Sequence, residues 1–144
     1  MAQLVTMKRE PSPPLAEFEE ALLDALLAGD HPVLATLREQ RAGAACVSRE
    51  LSGVGFFLEF SVPDAVALVA PEKFVLGDVL FNLQGPDHGG GAILFVRGGK
   101  VEMLEAYCFE DDWPSEISRF SISYDGGPQR DVARIMSAAL SRAS

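Results

Sequence analysis

Glu105 and Tyr107 stand two places apart in an apolar run, and His88 lies in a glycine-rich stretch upstream. A carboxylate, a phenol and an imidazole are the residue types of general acid–base chemistry. A glutamate among apolar neighbours keeps its proton to higher pH, which suits it to take and return one. The structural reading of the same residue is a carboxylate near a strand end, hydrogen-bonded to a neighbouring strand or a water. Asp87 and His88 share a loop that can border a binding surface. Glu110, Asp111, Asp112 and Trp113 form a second candidate binding group. These three acids lack the spacing of a calcium loop, so a capped turn over 114–118, begun by Asp111 or Asp112, is the simpler expectation. Trp113 is then expected to pack on the sheet with its indole N–H bonded.

Other chemistries find no support. There is no G-x-S-x-G run, and no pairing of a cysteine with a histidine is visible along the chain. Cys46 and Cys108 are the only two cysteines and form no C-x-x-C motif, so no metal site is expected and the thiols should stay reduced and buried. The glycine-rich loop over 85–91 leads into a strand and lacks the Lys-Ser/Thr pair of a phosphate cradle, which argues against nucleotide. No cofactor is called for. His31 reads as a surface or capping residue at a helix start.

The elements that must position these groups centre on a β-hairpin. Residues 92–97 and 100–109 are strand-like and are separated by Gly98-Gly99, the pair a type I′ turn needs. That turn sets Arg97 opposite Lys100, Val96 opposite Val101, Phe95 opposite Glu102 and Leu94 opposite Met103. Alternation then places Glu105 and Tyr107 on the face of Leu94, Val96 and Met103.

Upstream, Leu15, Phe18, Leu22 and Leu26 recur at helical spacing and predict a helix over 15–28, capped from Ser12-Pro13-Pro14. Gly29 ends it, and Asp30 can cap a second helix over 31–41. Strands are expected over 45–51, 56–62 and 73–84, the last bent at Gly77-Asp78, with Phe56, Leu58, Phe60 and Val62 facing the core. A final strand over 120–124 precedes an amphipathic helix carrying Val132, Ile135, Met136, Ala139 and Leu140. Its Arg130, Arg134 and Arg142 give that end a basic cast. The fold class is therefore α+β: a helical hairpin packed on a curved, mainly antiparallel sheet of five or six strands, plus a C-terminal helix. Residues 1–14 read as a flexible tail, 15–124 as a single domain and 125–144 as the C-terminal helix.

The chain has 144 residues, 48% of them hydrophobic, enough for one core. Its formal net charge is -9 and its isoelectric point is near 4.6. Nucleic acid and anionic membrane would be repelled. Residues 101–125 carry seven acids against the single base Arg119, so a basic protein is the partner the charge favours. No signal peptide or membrane span is recognised, and the expected location is cytoplasmic.

The pattern Gly53-Val54-Gly55-Phe56-Phe57 with Phe60 and Val62-Pro63 is followed by residues 91–96, Gly99, Met103-Leu104-Glu105, Tyr107 and Trp113-Pro114. Together it resembles a widespread group of small, uncharacterised bacterial proteins. The likeness spans roughly residues 15–124. Where that group reads Glu-Gly-Tyr, this chain has Glu105-Ala106-Tyr107. The resemblance implies a compact domain and brings no activity with it. The leading functional expectation is a non-catalytic protein-binding module, such as an immunity- or antitoxin-like inhibitor with an acidic face for a basic partner. The alternatives are a small hydrolase-like enzyme using Glu105 as general base with Tyr107 or His88 assisting, and an oligomeric module, for example a homodimer, with no ligand.

Overall fold

A computed structural model of the chain describes residues 15–84 and 88–141. Residues 1–14, where a flexible tail and a Ser12 cap are expected, and Asp87 and Arg142 lie outside the described residues. The architecture is α+β: two N-terminal helices, a six-stranded antiparallel sheet and a C-terminal helix. Helix α1 is Glu17–Leu26 and α2 is Pro32–Ala42. Strands β1 (Ala45–Leu51), β2 (Gly55–Ser61), β3 (Phe74–Leu83), β4 (Gly89–Arg97), β5 (Lys100–Cys108) and β6 (Phe120–Tyr124) follow, then helix α3 (Val132–Ser141). In the sheet they run in the order β1-β2-β5-β4-β3-β6, so the β4–β5 hairpin is central.

Helix α1 starts two residues later than its periodicity suggests. The Glu19 carboxylate reaches back to accept the Ala16 amide at 2.8 Å and stops the helix there. At α2 it is His31, not Asp30, that caps: its Nδ1 accepts the Val33 amide at 3.1 Å. Leu22, Leu23 and Leu26 of the first helix and Leu27 just past its end, with Leu34 and Leu37 of the second, pack on Leu58, Leu94 and Leu104 of the sheet. Phe56 and Leu58 face this core as their period-two spacing predicts, with Phe60 packed against it. Strand β4 begins at Gly89, inside the stretch expected to be loop. A Cβ on Gly90 would lie 2.5 Å from the Phe81 ring, so only glycine lets these strands pair there.

The hairpin turn is as predicted, with φ of 63° and 75° at Gly98 and Gly99. Its register is not. Val96 pairs with Val101, but Phe95 pairs with Met103, because Glu102 is an extra residue in a bulge. Beyond it every side chain of β5 changes face relative to the expected register. The cause lies in α2: buried Gln40 accepts the Val101 amide through Oε1 at 2.9 Å and donates Nε2 to Gly99 O and Ala67 O, each at 2.8 Å. A side-chain acceptor thus takes a ladder donor at the bulge.

The strand β3 bulges between Leu76 and Val79, at the expected bend, which turns Asp78 into the interior. There it meets Arg130, and both side chains are under 5% exposed. The guanidinium forks onto the carboxylate at 2.9 and 2.7 Å, and its Nη1 donates to Leu26 O and Ala28 O at 2.8 Å. Arg130 also lies 5.4 Å from the centre of the Tyr124 ring, whose hydroxyl donates to Ala25 O at 2.8 Å. The last carbonyls of α1 are capped by these side chains and by Arg38, which donates to Leu27 O and Gly29 O. The expected basic cast of the C-terminal helix is therefore largely neutralised, since Arg134 also pairs with Asp125 and Asp131.

An isolated buried charge is far less tolerable than a buried pair. Arg130→Met should lower unfolding stability in urea by about 3–5 kcal/mol, and adding Asp78→Leu should restore most of that loss.

Candidate functional site

The helices cover one face of the sheet, where Ala92, Leu94, Val96, Leu104, Ala106 and Cys108 are buried. The alternate residues face the other way and are only half-buried: Phe57 of β2, Ile93 and Phe95 of β4, and Met103, Glu105 and Tyr107 of β5. Glu105 thus projects from the opposite side to Leu94 and Val96, contrary to expectation, because of the Glu102 bulge. Its surroundings are apolar all the same. Phe57 and Ile93 are its cross-strand neighbours, and Met103 and Tyr107 flank it along the strand.

Among the described residues the Glu105 side chain has neither a hydrogen bond nor an ion pair. Desolvation by these neighbours raises its pKa above the ordinary carboxylate value. Tyr107 pairs with Gly91, and its hydroxyl lies 3.0 Å from where a Cβ of Gly91 would stand. Glycine at 91 lets the ring lie flat on the strand. Phe109 continues the row, edge-to-face with Tyr107 at 5.8 Å between ring centres and 57% exposed. The result is an aromatic and aliphatic face with one unpaired acid at its middle.

His88 does not join Glu105 and Tyr107. Its Nε2 sits 3.3 Å from Cys108 Sγ on the helix side of the sheet and 3.2 Å from Asp112 O. This is a cysteine–histidine contact that linear spacing concealed, because twenty positions of chain separate the two. It is not an activated pair. Burial, then the charges of Asp111 and Asp112, push the Cys108 thiol up, whereas a nucleophilic thiolate needs a positive surrounding that brings its pKa down.

Trp113 is a packing residue. Its ring lies 5.2 Å from Phe56 and 5.9 Å from Phe18 and from Phe81, and its backbone amide donates to Gly53 O at 2.8 Å. The expected indole hydrogen bond is absent among the described residues. The segment over 110–119 is irregular and does not form the capped turn expected of it. Glu110, Asp111 and Asp112 are exposed there, just past the end of β5. No group of three or more metal-ligating side chains comes together among the described residues. No helix among them is long and apolar enough to cross a membrane.

No family model, curated protein or solved structure matches the chain.

The raised pKa of Glu105 carries a sign. The folded state holds this proton more tightly than the unfolded chain, so its contribution favours folding at low pH and is lost as pH rises through the raised value. Glu105→Gln should therefore be more stable than the parent by roughly 0.5 kcal/mol at about pH 7. In urea melts that advantage should shrink toward zero at about pH 4.

Proposed function

We propose that this chain is a non-catalytic protein-binding module whose helix-free sheet face receives a basic, partly apolar surface of a partner protein. The observation that carries this reading is the unpaired, half-buried carboxylate of Glu105 set among Phe57, Ile93, Met103 and Tyr107. An acid in that setting is penalised in the free protein, and a lysine or arginine arriving with its own apolar stem relieves the penalty. Exposed Glu110, Asp111 and Asp112 lie beyond the same strand end and add long-range attraction for a cation. An immunity- or antitoxin-like inhibitor of a basic protein is one form such a module takes.

The hydrolytic alternative needs a base and a nucleophile in one cleft. Glu105 and the Cys108–His88 contact point to opposite sides of the sheet, and burial with the charges of Asp111 and Asp112 pushes the thiol up. Both observations favour binding over catalysis.

A fluorescent amphipathic peptide of alternating leucine and lysine should bind the parent protein, and its glutamate-for-lysine counterpart should not. Affinity should drop at least about tenfold between about 0.05 and about 0.5 M salt. Glu105→Lys should weaken binding by about tenfold or more while the far-UV dichroism stays that of the parent. Equal affinity of parent and variant for both peptides would sink the reading.

A further inference from the structure

Strand β6 covers only part of the β3 edge. Its pairs run from Val79 to Leu83, and the ladder closes where the Asp125 amide donates to Asp78 O at 2.9 Å. Strand β3 begins earlier, at Phe74. Phe74, Val75 and Leu76 pair with Val96, Phe95 and Leu94 of β4 on one side. On the other side they have no strand, and among the described residues their outward backbone groups make no hydrogen bond. An open edge of this kind is a template for another strand.

Helix α3 runs beside this edge without closing on it. Between them lies a groove of about 490 Å³, with Leu76 and Phe95 on the sheet side and Ile135, Ala138 and Ala139 on the helix side. The open stretch of three residues is roughly 10 Å long at the rise of a strand. Its mouth carries Lys73, Arg97 and Arg134 against Asp125. Arg97 and Arg134 line the groove but are engaged by Glu102 and by Asp125 and Asp131. Lys73, exposed just before β3 begins, has no partner among the described residues.

We infer that this groove takes a short extended segment of a partner protein as an added strand on β3, in line with β6, with an acidic C-terminal end against Lys73. Three features select that occupant. The unpaired backbone edge asks for a strand rather than a helix. The α3 wall of small and aliphatic side chains suits apolar groups at alternate positions of that strand. A strand antiparallel to β3, as β6 is, ends beside Lys73, and the unpaired ammonium there selects a carboxylate. Of the residues named on the Glu105 face, Phe95 alone also lines the groove, and Glu105 and Lys73 belong to one surface each, so either can fail without the other.

The probe is a six-residue peptide of alternating valine and threonine ending in aspartate, titrated into the full ¹⁵N-labelled chain. Amide shifts should move over 73–77 and 134–139 and leave Phe57 and Glu105 unmoved. Lys73→Glu should weaken the aspartate peptide about tenfold and favour a lysine-ended counterpart. Ala138→Trp, which fills the groove, should abolish binding of both, with the far-UV dichroism of each variant unchanged. Peptides N-methylated along one edge should lose binding, while those methylated along the other keep it. The inference is overturned if peptide at millimolar concentration moves no shift in the groove, or if methylation of both edges in turn leaves binding unchanged. It is equally overturned if the free edge proves to be the seam of a dimer of this chain.

Discussion

The fork of Arg130 on Asp78 is the contact on which the arrangement of the rest depends. Neither ion would be tolerated inside alone, yet together they satisfy each other and two carbonyls at the end of α1. Three distant parts of the chain are tied at this point: the close of the first helix, the bulge in β3 and the segment leading into α3. The bulge is where β6 stops pairing, and the anchored α3 stands beside the edge left uncovered. A core of leucines would hold the helices to the sheet but would not select this particular junction, because apolar contacts are non-directional.

Gln40 does for the opposite end of the sheet what Arg130 does here. It joins α2 to the hairpin turn and to the connection before β3, and it accepts an amide at the bulge that would otherwise need another partner. The bulge decides which way Glu105 points. Of the two faces of the sheet, the helices take the one with an unbroken apolar set, and the acid is left on the other among neighbours that desolvate it but do not pair with it. The uncovered face and the groove beside α3 thus differ in sign, one offering an unpaired carboxylate and the other an unpaired ammonium.

The Cys108–His88 contact shows why a distance alone does not make a reactive site. The two groups lie within hydrogen-bonding reach, but the charges around the thiol are negative and the pair sits against the packed side of the sheet. The aromatic cluster of Phe18, Phe56, Phe81 and Trp113 closes that side. Trp113 is thereby drawn out of the acidic stretch that precedes it and into the core.

Local chemistry was readable directly from residue order. The twin glycines required a primed turn, alternation of phenylalanines and leucines marked β2 and its inner face, and the stripe through Met136 marked α3, because each depends on neighbours a few positions away. Glu105 was legible as an acid among apolar groups for the same reason. Its direction was not, since that depends on a glutamine sixty-one positions from Val101 by way of a hydrogen bond no local pattern announces. Arg130 looked like surface charge until the fold carried it to Asp78, fifty-two positions earlier. Periodicity therefore sufficed to set the elements and their order, whereas the sidedness of the acid, the meeting of Cys108 with His88 and the open stretch of β3 arose only when long-range polar contacts chose among registers that hydrophobic burial leaves close in energy.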